Sequence, residues 1–225
     1  MIAVVGSGPS LRIQRIEALG DRTAILCNGA ASLSDRIRPL AVAVEDERFV
    51  FRHQLMLAAL DASIPLLLSP AAIRAWAEVD TASLRGRTVA LIENLAKPVN
   101  ASRRSLSEVQ TDVASDGSTF LSRDPDAGVV ITGTVAFSAL QFALAARPGK
   151  ILLAGIDLSN DAQPRFYETG DSAPSGLSAG LTRILAGFAL AYREAQKQGT
   201  ELTCASPVSA LLPLGIPYDD TLTSS

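Results

Sequence analysis

Short apolar runs alternate along the chain with segments of helical spacing, and this alternation constrains the fold most. The runs Ile2–Val5, Thr23–Cys27 and Ile151–Ala154 are four or five residues long, and each stops just before a glycine or an asparagine. Apolar runs of that length that alternate with helical segments are typical of buried parallel strands and their crossovers. The pattern predicts an α/β protein with a Rossmann-like, mostly parallel sheet of about six to seven strands, helices on both faces and polar lid segments.

The same reasoning places the other elements. Further strands are predicted at 40–44, 64–68, 88–92 and 201–204, and helices at 11–19, 47–60, 71–78, 135–146 and 178–198. Two stretches, 93–128 and 158–177, are polar and lack a sustained period, although some helix is expected near Ser105–Val113. Long aperiodic stretches in a compact chain are usually functional or mobile. We therefore expect a single domain, 1–225, with mobile or lid segments at about 93–128 and 158–177.

Composition excludes several classes of function. The net charge is −3 and aromatic residues make up 5% of the chain, so neither phosphate-backbone binding nor base stacking is expected, and nucleic acid is not a predicted partner. One histidine and two cysteines are too few for a His-rich or Cys-rich metal site. We expect Cys27 and Cys204 to be buried thiols rather than a disulfide, and His53 to be structural or solvated.

The apolar runs are also too short for a signal peptide or a membrane span. The expected location is the cytoplasm, and peripheral contact with the inner membrane is left open. The oligomeric state is left open as well.

Small and polar residues gather just after the predicted strands. They are Gly6-Ser7-Gly8-Pro9-Ser10, Asn28-Gly29, Glu45-Asp46, Thr132-Gly133-Thr134 and Asp157-Leu158-Ser159. Ligands of open parallel sheets bind at the carboxyl ends of the strands. Glycines 6 and 8 would let backbone N–H groups approach a phosphate or a ribose, although the spacing matches neither the dinucleotide fingerprint nor a Walker loop.

Each of these groups also has a purely structural interpretation. The first loop can be a tight turn, Asn28 a turn residue, Thr132–Thr134 a helix cap, and Asp157 an acceptor for backbone N–H groups. Asp124-Pro125-Asp126 looks like the Asp-x-Asp with which glycosyltransferases hold a divalent ion, but ordinary turn chemistry is the favoured interpretation.

Taken in order, the motifs resemble a known group of enzymes. They are Val4–Leu11, Cys27-Asn28, Thr132-Gly133-Thr134, Ile151–Asp157 and Cys204–Ser209. This set is similar to the bacterial sialyltransferases of glycosyltransferase family 42, the related lipopolysaccharide-core Kdo transferases and the wider DUF115 group. The resemblance runs almost from end to end and is carried by short motifs.

The resemblance implies a Rossmann-like nucleotide-sugar-binding domain and a glycosyltransferase. Such an enzyme would move a keto-sugar acid, sialic acid or Kdo, from a CMP-activated donor to a surface-glycan saccharide by an inverting displacement. The partners would be the CMP-sugar and a saccharide acceptor, with no obligatory cofactor and no divalent metal.

The resemblance also implies roles for individual residues. Nucleotide binding falls to Gly6, Ser7, Gly8, Pro9, Ser10, Asn28, Glu45 and Asp46, and the donor's sugar and phosphate to Thr132, Gly133, Thr134, Asp157 and Ser159. The family's general base is a histidine in the second lid, where this chain has none. Glu168 or Asp171 is the expected base, and Tyr167 is a weaker candidate or a group that stabilises the departing phosphate.

Two other functions remain open at this point. The missing histidine suits a nucleotide-binding relative that has lost transfer activity or only hydrolyses the donor. A DUF115-type pterin diphosphokinase would use ATP and Mg²⁺, and its site would then comprise Asp46, Asp124, Asp126 and Asp157.

Overall fold

A computed structural model describes residues 1–109, 111–159, 164–168 and 180–223. Within them the strands are β1 (Ile2–Val5), β2 (Ala24–Cys27), β3 (Ala41–Val44), β4 (Leu66–Leu68), β5 (Val89–Leu91), β6 (Val113–Asp116), β7 (Thr119–Ser122), β8 (Lys150–Ala154) and β9 (Glu201–Cys204). The α-helices are α1 (Glu47–Arg52), α2 (Gln54–Ala58), α3 (Pro70–Leu84), α4 (Val135–Ala145) and α5 (Leu181–Lys197). None of the described helices has the length and apolar character needed to cross a membrane.

Seven strands form one parallel sheet in the order β5-β4-β3-β2-β1-β8-β9. Strands covered on both faces are apolar at every position, and β1, β2, β3 and β8 are buried almost throughout. In β1, Val4 belongs to the core shared with α4 and α5, whereas Ala3 and Val5 belong to the core shared with α1 to α3. The predicted parallel α/β fold, with helices on both faces, is confirmed.

Two predicted helices are broken where side chains make tertiary contacts. Residues 9–19 form two 3₁₀ helices, Pro9–Ile13 and Ile16–Leu19, because Gln14 between them is extended. Its Nε2 donates to the carbonyl of Ala205 at 2.6 Å. The helix predicted at 47–60 is interrupted at His53, whose backbone leaves helical geometry (φ −121°, ψ 28°) between α1 and α2.

The helix expected near Ser105–Val113 is wrong. Only one 3₁₀ turn forms there, Leu106–Glu108, and the chain then enters the antiparallel hairpin of β6 and β7. The missed signal is Asp116-Gly117, a turn pair typical of hairpins, in which Gly117 has φ 62°. Two ion pairs connect this hairpin to α5. Arg123, just after β7, pairs with Glu194 of α5 at 2.6 Å, and Asp116 of β6 pairs with Arg193 of α5.

The C-terminal tail covers the edge of β9. The amide of Cys204 donates to Pro217 O at 2.8 Å, and the amide of Asp219 donates to Cys204 O at 2.9 Å. Both cysteines are free and buried, as predicted, and burial raises the pKa of the Cys27 thiol.

Candidate functional site

The direction of chain winding reverses at β1, since β2 lies on one side of it and β8 on the other. The loops that follow β1 and β8 therefore meet at the carboxyl edge of the sheet, where open α/β folds bind ligands. The amides of Gly6 and Gly8 donate to Ala154 O at 2.8 Å and Gly155 O at 2.7 Å. A Cβ on Gly6 would lie 2.5 Å from Gly155 O, so this approach requires glycine.

Asp157 fixes the conformation of the loop after β1 through hydrogen bonds to Ser10. Its two carboxylate oxygens accept hydrogen bonds from the Ser10 amide at 3.0 Å and from the Ser10 hydroxyl at 2.6 Å, and its side chain is buried. The interpretation of Asp157 as an acceptor for backbone N–H is confirmed. Ser10 and Asp157 therefore shape the loop, and any ligand would meet the more exposed Ser7, Gly8 and Pro9.

Asn28 turns the chain at the end of β2. It adopts φ 48°, a left-handed conformation that asparagine tolerates better than most residues. Its Oδ1 is buried and has no hydrogen-bond partner in the described residues. An unsatisfied buried acceptor costs about 1–3 kcal/mol, so Asn28 is suited to receive a donor from a ligand.

The segment before α4 presents a second set of unsatisfied groups. Thr132 is buried with its Oγ1 unpartnered among the described residues, and Thr134 precedes the helix without a side-chain cap. The first turn of a helix has N–H groups without intrahelical acceptors, and its dipole favours an anion. Gly133 is exposed with φ 104°, and Arg183 Nε donates to Thr132 O at 2.9 Å, which anchors the segment to α5.

Glu45 and Asp46 follow β3 but differ in environment. The Asp46 carboxylate caps α1, since it accepts from the Arg48 amide at 2.9 Å and from Arg48 Nε at 3.2 Å. The Oε1 of Glu45 is buried without a described partner. Burial raises the pKa of Glu45 to about 7, and the nearby Ser138 hydroxyl counteracts part of that rise. Near neutral pH this carboxyl is thus often protonated and able to donate a hydrogen bond.

Residues 164–168 lie across the ends of β1 and β2. The Phe166 amide donates to Ser7 O at 3.4 Å, and Arg12 Nη2 donates to Arg165 O at 3.0 Å. The Tyr167 ring covers Gly29 so closely that a Cβ there would lie 1.8 Å from its Cε1 atom. Two of the three candidate groups for proton transfer, Tyr167 and Glu168, are therefore near the predicted nucleotide residues.

The other predicted residues of this segment are placed as follows. Glu168 forms an ion pair with Arg165, with 2.7 Å between Oε1 and Nη1, and its Oε2 accepts from the Arg165 amide at 2.9 Å. Ser159 is exposed, and its hydroxyl donates to Val208 O at 2.7 Å. Asp171 lies outside the described residues.

His53 lies beside Tyr167, whose ring contacts Phe166, and together with Glu168 these residues form what we call the Tyr167 cluster, a grouping that the sequence did not predict. The His53 ring centroid is 4.5 Å from that of Phe49 and 5.5 Å from that of Tyr167. Burial lowers the pKa of His53, and Arg165 and Arg52 add to that effect while Glu168 opposes it. His53 lies at the break between α1 and α2, and no local pattern of residues signals that break.

A cavity of about 760 Å³ opens beside this site, at the carboxyl ends of β3 to β5. Glu45 and Ile131 form the side nearest to α4, the first turn of α3 forms a second side, and residues 92–94 and 97–102 form the third. Its volume falls in the range of about 300–1,000 Å³ that is usual for ligand pockets.

Asp124-Pro125-Asp126 forms a turn, as favoured from the sequence. The amides of Ala127 and Gly128 donate to Asp124 O and Pro125 O, each at 3.2 Å, and both aspartates are exposed. In the parts of the chain that the structure describes, no three His, Cys, Asp or Glu side chains come together as a metal site.

Two solved structures have a similar fold. The sialyltransferase CstII from Campylobacter jejuni, in complex with the substrate analogue CMP-3FNeuAc, aligns with a TM-score of 0.50 and 15% identity over 100% of this chain and 88% of that one. A structure of the sialyltransferase CST-II with trisaccharide acceptor and CMP aligns with a TM-score of 0.49 and 13% identity, at the same coverage. The first of these matches identifies the fold as that of a sialyltransferase-like α/β protein.

Part of the sequence matches a family model. Residues 116–209 match the family model of 3-deoxy-D-manno-octulosonic acid transferase WaaZ. That region holds the Thr132–Thr134 motif, the loop after β8 and β9 itself. The resemblance to sialyltransferase-like glycosyltransferases and Kdo transferases is thereby confirmed. Among curated proteins, no significant relative is found.

Proposed function

We propose that this protein is a glycosyltransferase that transfers a keto-sugar acid, Kdo or sialic acid, from a CMP-activated donor to a saccharide. A glycosyltransferase of the sialyltransferase or Kdo transferase type is supported by the family-model match and by the fold. The CMP donor, the inverting displacement and the saccharide acceptor are proposed in addition.

One observation of the site carries the proposal. Buried oxygens of Asn28, Glu45 and Thr132 lack described partners. Asn28 and Glu45 directly follow β2 and β3, and Thr132 lies just before α4. Leaving such groups unsatisfied costs stability, whereas a ligand rich in hydroxyl, amino and phosphate groups would satisfy them. A nucleotide joined to a sugar has this composition.

The elements suggest a division of roles. The loop after β1 and Asn28 would hold the nucleotide, and the N-terminus of α4 would stabilise the negative charge that develops on the departing phosphate. In the inverting step an acceptor oxygen bonds to the anomeric carbon while the bond from that carbon to the CMP phosphate oxygen breaks. The acceptor's hydroxyl proton passes to a base.

In this proposal the general base that accepts the acceptor's proton belongs to the Tyr167 cluster. Glu168 is a candidate in this cluster, and its ion pair with Arg165 must loosen before it can accept a proton. Asp171, which lies outside the described residues, remains a candidate from the sequence. His53 is a further candidate, because its lowered pKa keeps the imidazole neutral near pH 7. Replacing His53 with Gln should flatten the acidic limb of the pH–rate profile if His53 is the base, and lower kcat without moving that limb if it only positions Tyr167.

The deciding measurement is nucleotide binding. CMP should raise the melting temperature in the presence of EDTA, and the protein should release CMP from CMP-Kdo or CMP-sialic acid. Stabilisation only by ATP with Mg²⁺ would contradict the proposal and favour a diphosphokinase. Binding of CMP without release from either donor would favour a relative that has lost the transfer step.

The Asn28→Gly variant tests the site itself. Glycine keeps φ 48° without strain and removes only the side chain, so the fold should be preserved. CMP affinity should fall about tenfold, which corresponds to one lost hydrogen bond. The matched control is Arg147→Gly, at an exposed position with φ 46° before β8, where CMP affinity should not change.

A further inference from the structure

The two edges of the parallel sheet differ in what covers them. At one edge the C-terminal tail pairs with β9, since Cys204 and Tyr218 form a bridge. At the other edge, no strand of the described chain lies beside β5. All three residues of β5 are exposed, and the apolar Val89 and Leu91 are 39% and 42% accessible. An exposed apolar edge strand is a template for pairing with another strand.

The backbone of β5 offers hydrogen-bonding groups at this open edge. The Thr88 carbonyl and the Ile92 amide form hydrogen bonds with β4, at 2.9 and 2.8 Å, so the even-numbered residues bond to β4. Alternation along a strand therefore directs the N–H and C=O groups of Val89 and Leu91 away from β4. A strand that lies along this edge would satisfy these four groups.

The open part of the edge has defined limits. On one side the Arg87 amide donates to the last residue of α3 at 3.3 Å, and on the other the Glu93 carbonyl accepts from Val129 N at 2.8 Å. Both residues have the same parity as Val89 and Leu91, so they would otherwise bond outwards. Within the described chain, a partner strand therefore finds two residues whose outward groups are not already bonded.

An identical strand fits these limits. If two copies of β5 run antiparallel about a two-fold axis at Ala90, Val89 of each copy lies opposite Leu91 of the other and exchanges two hydrogen bonds with it. This arrangement uses all four outward groups of each strand. Moving the axis to Val89 or Leu91 would bring Arg87 or Glu93 into the pairing, where their groups are already bonded.

The side chains favour the same arrangement. Val89 and Leu91 are in register with Leu66 and Leu68, which belong to the core shared with α1 to α3. A two-fold axis perpendicular to the sheet keeps this face common to both copies. Four apolar side chains, two from each copy, would then form one patch, and such cross-strand pairs stabilise antiparallel strands.

The charges that flank the edge are complementary. Arg85 precedes β5, is exposed and forms no ion pair with a carboxylate of the described chain. Beyond the other end of β5, Val129 bridges Asn94, and the turn Asp124-Pro125-Asp126 that leads into Val129 exposes both carboxylates. Antiparallel pairing brings the arginine end of each copy towards the acidic turn of the other.

We propose that the open edge of β5 is an interface between two copies of this chain, whose sheets join across a two-fold axis at Ala90. The paired stretch is short, so the association belongs to the weak and reversible class of interfaces rather than to obligate dimers. The interface lies outside the candidate donor site and stands or falls independently of the transferase function.

A cysteine at the axis tests the register. The two Ala90 residues would form a non-hydrogen-bonded pair with Cα atoms about 4.5 Å apart, which a disulfide can bridge. Ala90→Cys should therefore give a covalent dimer on mild oxidation, seen on a non-reducing gel, while the native cysteines stay buried. The matched control is Thr88→Cys on the same strand, since its two copies would lie about 13 Å apart.

Sedimentation velocity over a series of protein concentrations measures the reversible dimer. Leu91→Lys places a charge in the apolar patch and should raise the dissociation constant at least about tenfold. Val208→Lys, at an exposed position just after β9, should leave the constant unchanged. Arg85→Glu and Asp126→Arg should each weaken association, and the double variant should restore part of it.

Three results would overturn the proposal. They are a protein that stays monomeric at every concentration, a dimer that Leu91→Lys leaves intact, and equal cross-linking of Ala90→Cys and Thr88→Cys, which would indicate random collision. Circular dichroism checks that Leu91→Lys folds. If it does not, the cross-linking comparison decides alone, because the exposed Ala90 and Thr88 tolerate a small side chain.

Discussion

Two buried polar clusters of this protein differ in whether their polar atoms have hydrogen-bond partners. Around Asp219, near the amino ends of β8 and β9, Lys150 Nζ lies 2.6 Å from the carboxylate, and Thr203 and the Thr221 amide donate to it at 3.0 and 2.9 Å. Around Glu45 and Asn28, at the carboxyl ends of β2 and β3, buried oxygens have no described partner. The Asp219 carboxylate is thus fully hydrogen-bonded within the chain, whereas the buried oxygens of Asn28 and Glu45 are not.

If the proposed function holds, this difference separates a cluster that stabilises the fold from a cluster that binds the ligand. A satisfied buried network contributes to the free energy of folding, whereas a partly satisfied one costs free energy that a ligand can recover. Removing a group from the first cluster should therefore harm the fold, and altering the second should harm the fold little or even stabilise it.

The largest effect is expected from Asp219→Ala. The variant leaves Thr203 without its partner and Lys150 with only the longer ion pair to Glu201 at 3.6 Å. It should lower the free energy of unfolding by about 2–4 kcal/mol. Although burial acts to raise it, hydrogen bonds from Lys150, Thr221 and Thr203 hold the pKa of Asp219 below its ordinary value. The stabilisation is thus present above the ordinary pKa of 3.8 and is lost as the pH falls below it.

Urea unfolding at pH 7 and at pH 3 measures both effects for Asp219→Ala. The neighbouring exposed Asp220→Ala is the control and should change stability by less than about 0.5 kcal/mol. Equal destabilisation by the two variants would contradict the comparison between the clusters.

Glu45→Gln should act in the opposite direction. A carboxyl whose pKa rises from 4.5 to about 7 on folding stabilises the protein fully below pH 4.5, and that stabilisation is lost as the pH rises through about 7. The variant has no such loss. At pH 8 it should be more stable than the unmodified protein by up to about 3 kcal/mol, and the gain should vanish near pH 4.

Thermal unfolding as a function of pH checks the Glu45 prediction. The exposed neighbour Glu47→Gln serves as the control, and its curve should run parallel to that of the unmodified protein. If the Glu45→Gln curve is also parallel, then Glu45 is solvated and does not belong to the unsatisfied cluster.

Gly29→Ala should have the smallest effect on stability, within about 1 kcal/mol, and a specific effect on residues 164–168. The new Cβ would overlap the Tyr167 ring, which must then move away from the end of β2. Trypsin should cleave after Arg165 several-fold faster. Gly149→Ala, where a Cβ meets no atom within 4 Å, should leave the cleavage rate unchanged.

Much of the fold could be predicted because strand patterns are local. All seven strands of the sheet were predicted to within about two residues, since each is a short apolar run before a turn former. The β6–β7 hairpin was missed because each of its strands is only four residues long and shows no sustained period, although Ala114 and Leu121 are buried. The break at His53 was missed because its one visible correlate, ring contact with Phe49 and Tyr167, is a tertiary feature.

The sequence predicted which residues lie at the candidate site better than it predicted what their side chains contact. Residues after parallel strands must gather at one edge, so Asn28 and Glu45 could be named in advance. Thr132 was also placed after a strand, but only an isolated bridge at Val129 precedes it, and Thr132 lies just before α4. That Asp46 serves α1 while Glu45 stays buried and unsatisfied depends on side-chain direction, which sequence position does not specify.

The sequence by itself determined the parallel α/β sheet and the edge at which its polar residues meet, because apolar runs and turn formers act over a few residues. Only the tertiary structure decided which distant side chains touch. Asp157 holds Ser10 from 147 residues away, and His53 meets Tyr167. Arg74 and Lys97 come to share a cavity. Such contacts depend on how whole elements pack, and packing is a property of the assembled chain.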